Sequence, residues 1–267
     1  MNGKPNGERP RKRVGLGARL MAKLGRPVIR RLSDLASESL EEPGSWRCLE
    51  LVYRNQPAKL LDRFFLGSRS ARGTRNRLQV LKDEICKAVE ERAHLHNPVR
   101  LISFGSGPGH EVLECIERLR DRVAVQAVCV DKEPEALEHG RYLASQRKLN
   151  ECVSYLQGNI LRRAPVITGQ DIGILSGLTD YFDFRTALSV LARVREALVP
   201  GGLILLANMR QHGLARTMSI LGNWDLVYRE PDEVEGLLRA SGYEEIKVWL
   251  EPEKVFSIGK ATKPRQI

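Results

Sequence analysis

Apolar positions along this chain change their period near residue 97. From 33 to 95 they recur at helical spacing. Leu78, Leu81, Ile85 and Val89 are expected on one helix face, and Leu60, Leu61, Phe64 and Phe65 on another. Pro43-Gly44 and Gly67-Ser68 punctuate this stretch. From Val99 onward, short apolar runs alternate with amphipathic stretches. The runs predict strands at Val99–Phe104, Val123–Val130, Val153–Leu156, Asp171–Ser176, Leu203–Ala207, Ile246–Leu250 and Val255–Gly259. Between them, one helix is predicted from near Gly109, with Val112, Leu113, Ile116 and Leu119 on one face. A second follows Asp131, with Pro134 in its first turn. A third runs from about Arg185 to Leu198 and is closed by Pro200-Gly201-Gly202.

Strands alternating with helices imply a parallel sheet covered on both faces. The last two runs are separated only by Glu-Pro-Glu-Lys, which suits a hairpin, so the final strand should be antiparallel to its neighbour. The expected fold is α/β: a Rossmann-like, seven-stranded, mostly parallel sheet with helices on both faces and an N-terminal helical cap. The expected organisation is a basic disordered tail over 1–32, the cap over 33–96 and a ligand-binding domain over 97–263.

Charge sharpens this division. The 267 residues carry a formal +10. Residues 1–31 hold ten basic side chains against Glu8, a net +9, which leaves +1 for the other 236. The folded body is nearly neutral, so nucleic acid is not an expected partner. Leu16, Leu20 and Leu24 sketch an amphipathic helix with Arg19 and Lys23 opposite. A solvated tail is its preferred reading, and weak contact with a membrane surface through the basic N-terminus is the alternative. No apolar run approaches the roughly 20 residues of a membrane span, and no apolar signal-peptide core follows the start. The five cysteines form no C-x-x-C pair. Reduced, packed cysteines in a cytoplasmic protein are expected. His94-x-His96 lacks a third ligand nearby in sequence, so no metal is expected.

The chemistry concentrates at predicted strand ends. Val99-Arg-Leu-Ile-Ser-Phe-Gly-Ser-Gly-Pro-Gly-His-Glu111 reads as a buried strand, a glycine turn and a helix start. Asp131 ends the next apolar run. Glycines let backbone approach a ligand without a Cβ in the way, and a carboxylate at the second strand tip can hold two ribose hydroxyls. A dinucleotide fingerprint would be G-x-G-x-x-G, but position 110 is His, and the spacing is G-x-G-x-G. Two further strand ends supply Gly158-Asn159-Ile160 and Ser176-Gly177-Leu178, the latter followed by Thr179-Asp180-Tyr181.

In this order the motifs resemble the class I S-adenosylmethionine-dependent methyltransferases, and Pro200-Gly201-Gly202 is similar to the family's pattern. Ser-Gly-Leu-Thr-Asp-Tyr-Phe-Asp (176–183), Ala-Asn-Met-Arg (207–210) and Trp-Asp-Leu-Val-Tyr-Arg-Glu-Pro-Asp-Glu (224–233) resemble a narrower group around 3-hydroxypalmitic acid methyl ester synthase. Leu-Glu-Leu-Val-Tyr (49–53), Lys-Leu-Leu-Asp-Arg-Phe-Phe-Leu (59–66) and Arg-Asn-Arg (75–77) extend that likeness. The resemblance implies S-adenosylmethionine as cofactor. It places Gly105, Ser106, Gly107, Pro108 and Gly109 along its methionine and ribose parts, Asp131 on the ribose, and Asn159 on the adenine amino group. Ile160, Ser176, Gly177 and Tyr181 complete the implied cofactor set. The family more often has Asp where Asn159 stands, and an acid where Ser103 stands. Glu111 is therefore either a substitute contact for the cofactor's ammonium or a favourable charge at a helix start.

A carboxylate acceptor is already ionised at pH 7 and needs no base, whereas a hydroxyl or amine does. No general base stands out. Asp180, Tyr181, Asn208 and His212 are the candidates, with Tyr53, Arg77, Arg210 and Tyr228 on the acceptor side. Each has a plainer alternative: Asp180 as a helix cap, Tyr228 as core, Arg210 in solvent. The expected activity is methyl transfer to a small molecule, such as the carboxylate of a fatty or hydroxy-fatty acid. The rivals are an RNA or protein methyltransferase and a non-catalytic cofactor-binding partner protein.

Overall fold

A computed structural model describes residues 27–162, 167–213 and 225–265. The amphipathic stretch expected at 16–24, most of the basic tail and Trp224 lie outside the described residues. Residues 27–32, expected as tail, are helical. Four helices follow: α1 (Asp34–Glu41), α2 (Trp46–Arg54), α3 (Asp62–Leu66) and α4 (Arg69–Arg92). Ser33, Ser45 and Ser68 cap α1, α2 and α4 by accepting from backbone N–H groups of the first turn. The buried carboxylate of Asp62 accepts from Ser33 Oγ at 2.7 Å and from the Lys59 N–H at 2.8 Å, which ties α3 to the start of α1. The expected face at 60–65 does not form. Leu60 and Phe64 are 80% and 73% exposed, because α3 is only five residues long and buries Leu66 instead.

The sheet contains β1 (Val99–Phe104), β2 (Val125–Asp131), β3 (Val153–Gln157), β4 (Gln170–Ser176), β5 (Leu198–Met209), β6 (Glu244–Leu250) and β7 (Phe256–Thr262). Their order is β3-β2-β1-β4-β5-β7-β6. Every pair is parallel except those made by β7, which runs antiparallel to both β5 and β6. The fold is the Rossmann-like α/β arrangement the sequence predicts. Strand order reverses between β1 and β4, where such sheets open a ligand crevice beyond the strand tips.

Among the described residues, four more helices cover the sheet: α5 (His110–Leu119), α6 (Pro134–Gln146), α7 (Phe184–Ala197) and α8 (Pro231–Ala240). One core joins Leu81, Ile85 and Val89 of α4 to Val112, Leu113 and Ile116 of α5 and to one sheet face. The other joins Val190, Leu191 and Val194 of α7 to Val234, Leu237 and Leu238 of α8 and the opposite face. Each of these side chains contributes roughly 1.5–3 kcal/mol by leaving water. Thus α4 serves two regions: its second half fills the main core, and its first half reaches over the crevice. Among the described residues, no helix is long and apolar enough to cross a membrane.

β5 differs from expectation. The Pro200-Gly201-Gly202 turn does not follow α7 as a separate loop, since Leu198 is already extended and pairs with Gln170. The register then jumps to Ile172 opposite Leu203, so residues 199–202 form an irregular bulge inside the strand.

Two helical glycines make opposite predictions. A Cβ at Gly140 would stand 2.3 Å from the Tyr155 ring and 2.8 Å from the Pro108 carbonyl oxygen, whereas one at Gly236 meets nothing within 4 Å. Gly140→Ala should lower stability by about 1–3 kcal/mol. Gly236→Ala should be neutral or raise it by up to about 1 kcal/mol. Urea midpoints of the two variants measure this, and equal midpoints would contradict it.

Candidate active site

The turn after β1 is built from three left-handed glycines, Gly105, Gly107 and Gly109, with φ of 62°, 53° and 79°. Side chains avoid this region. At Gly107 the backbone angle alone requires glycine, because a Cβ would meet only Trp46 at 3.7 Å. At Gly109 space forbids one as well, since it would lie 2.8 Å from Cys129 Sγ. The Gly107 N–H donates to Asp131 Oδ2 at 2.7 Å, and the Glu133 N–H donates to Asp131 Oδ1 at 3.0 Å. The carboxylate at the tip of β2 therefore grips the turn at the tip of β1.

A cavity of about 450 Å³ opens beyond these tips. Gly105, Ser106, Gly107, Pro108 and Glu111 form one wall; Asp131, Asn159 and Ile160 a second; Ser176, Gly177, Asp180 and Tyr181 a third. Tyr53 and Arg77 reach in from the helical segment. Gly109 is absent from these walls, because it packs inward on Cys129. Asn159 Oδ1, expected to face an adenine amino group, already accepts from the Leu161 N–H at 2.9 Å. That leaves one lone pair for a ligand.

Four candidates do not reach the described cavity walls. Asn208 is fully buried and fully used: its Nδ2 donates to the carbonyls of Met209 and Val227, and its Oδ1 accepts from Thr179 Oγ1 and Arg229 Nη1. Arg210 pairs with Glu230 and donates to the Lys254 carbonyl, bracing the end of β5. His212 Nδ1 lies 3.0 Å from the Arg210 carbonyl, and the ring meets Tyr228 edge-on. Burial lowers its pKa, which makes it a poorer base. Burial pushes the Tyr228 hydroxyl up to about 12, and its ring packs on the core. Asp180 does not cap α7, a role Asp183 fills by accepting from the Thr186 N–H. Its Oδ1 instead accepts from the Met209 N–H at 2.7 Å.

Several wall residues escaped the sequence reading: Trp46, Leu49, Thr74, His110, Met209 and Phe256. Glu50 stands behind His110, with Oε2 at 2.6 Å from its Nε2. Burial pushes Glu50 up, but His110 and Arg54 outweigh it and bring its pKa down to about 2. Trp46 stacks on His139 at 5.0 Å, so helices of the N-terminal segment clasp both α5 and α6. His96 pairs with Asp171 away from the cavity. The five cysteines are free.

A sequence model of the family described as "putative methyltransferase" matches residues 42–263. The chain belongs to that methyltransferase family. Among curated proteins it is similar to the uncharacterized protein YnbC of Escherichia coli, 24% identical over 233 residues, which cover 80% of this chain and 39% of YnbC. The chain thus spans well under half the length of that relative. Among solved structures it resembles a possible exported protein of Bordetella parapertussis, with TM-score 0.69, 18% identity and coverage of 93% of this chain and 95% of that one. It also resembles an O-methyltransferase family protein of Burkholderia thailandensis, with TM-score 0.57, 17% identity and coverage of 87% and 72%. At these identities the two structures speak for the fold alone.

The methyltransferase cavity has a titratable wall. Burial pushes Asp180 up to about 7. Between about pH 4 and 7 the folded chain therefore keeps a proton that the unfolded chain has lost. The contribution of this group to stability falls as pH rises through that window and is constant above it. Asp180→Asn should gain melting temperature relative to the parent chain between pH 4 and 8. Parallel melting curves would contradict it.

Proposed function

We propose that this chain binds S-adenosylmethionine and catalyses methyl transfer to a small-molecule acceptor in the cytoplasm. One observation carries the reading: the Gly107 N–H and the Asp131 carboxylate meet at 2.7 Å on the rim of one cavity, at the point where strand order reverses. The residues present fit the cofactor. Asp131 keeps lone pairs beyond its two backbone bonds for a ribose diol. Ile160 offers an apolar surface and Asn159 a polar edge for adenine. Glu111 is buried in the first turn of α5 with Oε1 unpartnered, which suits a cationic ligand group.

When bound, the cofactor supplies a methyl group already activated by its sulfonium. The protein's work is then orientation and exclusion of water. Leu49 and Tyr53 from α2 and Thr74 and Arg77 from α4 roof the cavity, and Met209 and Phe256 close its far side. The acceptor we assign is the carboxylate of a fatty or hydroxy-fatty acid. Two points support it. The narrower sequence resemblance points to that class. An ionised carboxylate also needs no base, so neither Asp180 nor Tyr181 on the cavity wall has to accept a proton from it.

Asp131→Ala should weaken S-adenosylhomocysteine binding by about 30-fold or more in calorimetry, through loss of charge-assisted hydrogen bonds. Incubation with methyl-labelled cofactor and 3-hydroxy fatty acids should give labelled methyl esters by mass spectrometry. Absence of S-adenosylhomocysteine binding to the parent chain would remove the cofactor reading. Binding without ester formation would remove the acceptor.

A further inference from the structure

A guanidinium and a carboxyl group are buried at this cavity without meeting each other. Arg77 is 5% exposed and Glu111 4%. Arg77 Nη2 donates to the Tyr53 hydroxyl at 2.9 Å, its guanidinium lies 4.9 Å from the centre of the Phe256 ring, and its Nε has no partner. Glu111 Oε1 has none either. Glu111 and Asp180 both act on the guanidinium through space, yet among the described residues neither forms an ion pair with it. Room for the guanidinium is built in: a Cβ at Gly177 would lie 2.6 Å from Arg77 Nη1 and 3.3 Å from Asp180 Oδ2.

Burying a charge without a direct counterion is strongly unfavourable, and breaking up a buried pair is more so. Such groups persist where a ligand completes them. A simple anion would satisfy Arg77 and leave Glu111 Oε1 without a partner, and a simple cation would do the reverse. A ligand with an ammonium beside a carboxylate satisfies both.

We infer that Arg77, Tyr53 and Glu111 form a receptor for an α-amino-acid zwitterion, and that its occupant is the amino-acid end of the cofactor. The inference rests on the S-adenosylmethionine reading above. The carboxylate lies on the Arg77–Tyr53 pair and the ammonium on Glu111. Tyr53 and Arg77, expected on the acceptor, then belong to the cofactor. Helices α2 and α4 become part of the cofactor site, and docking of the helical segment is coupled to the amino-acid half of the ligand but not to its nucleoside.

Calorimetry with three probes tests this: S-adenosylhomocysteine, its decarboxylated analogue and 5′-methylthioadenosine, which lacks the amino-acid end. The parent chain should bind S-adenosylhomocysteine at least about tenfold tighter than either truncated ligand. Arg77→Met should weaken S-adenosylhomocysteine by about 10- to 100-fold and 5′-methylthioadenosine by less than about threefold. Arg77→Lys should fall between. Equal affinities of the parent chain for all three probes would overturn the inference, whatever the variants do, and would leave the cofactor reading standing. Equal weakening of all three by Arg77→Met would also overturn it. Failure of the parent chain to bind any of them would instead remove the cofactor reading beneath it.

Discussion

The hydrogen bond from the Gly107 N–H to Asp131 Oδ2 joins the two strand tips on which the site is built. Its geometry is set far below it. β1 and β2 run parallel in register, with Phe104 opposite Val130, so the two chains leave the sheet at the same height. The Gly105 N–H then donates to the Val130 carbonyl at 2.8 Å, which starts the turn across β2. The three left-handed glycines bring the backbone round to α5, and the N–H of Gly107 is left facing the carboxylate. Moving the register by one residue would carry Asp131 out of reach and turn the core residues of β2 outward. The buried strands and the polar rim are thus one construction.

The helical segment is held to this construction by polar contacts as well as by the apolar half of α4. Glu50 is the centre of the clasp: it receives Arg54 on its own helix, His110 at the start of α5, and His139 of α6 at 3.7 Å. His110 and Arg54 account for its low pKa. Arg47 reaches Glu135 on the same side, and Arg72 reaches Glu253 in the β6–β7 hairpin. The roof of the cavity is therefore fixed at both ends, while the groups that face inward, Arg77 and Glu111, are kept from one another.

How much of this was legible in the sequence follows from the range of the interactions. The strands of the parallel sheet were readable because each is a short buried run with helices between. The placement of the glycine turn and of Asp131 was readable because it depends on backbone shape and on position at a strand end. The end of β5 was misread. Asn208 and Arg210 have side chains suited to chemistry, but their partners, Arg229, Glu230 and the Lys254 carbonyl, lie about 20 or more residues away in sequence, and no local pattern announces them. Trp46, Glu50 and His110 were missed for the same reason, since their contacts cross from α2 to α5 and α6. The exposed Leu60 and Phe64 show the opposite error, in which apolar spacing suggested a face that a five-residue helix cannot bury.

Asn208 illustrates why removal from the list of bases does not make a residue irrelevant to the site. Its Oδ1 accepts from Thr179 Oγ1 and from Arg229 Nη1. Arg229 is itself buried and donates to the carbonyls of Thr179 and Phe182 at 2.8 and 2.7 Å. These two side chains hold both ends of the short 3₁₀ turn Thr179–Tyr181, which carries Asp180 and Tyr181 to the cavity wall. A reaction that asks mainly for orientation depends on such supports as much as on the groups that touch the ligand. A buried arginine with its donors met by carbonyls and an asparagine oxygen is a rigid strut, because every alternative position leaves a charge unsatisfied. The wall at 177–182 is held in place by residues that never face the cavity, and that division between contact and support explains why the side chains best suited to catalysis at the end of β5 point away from it.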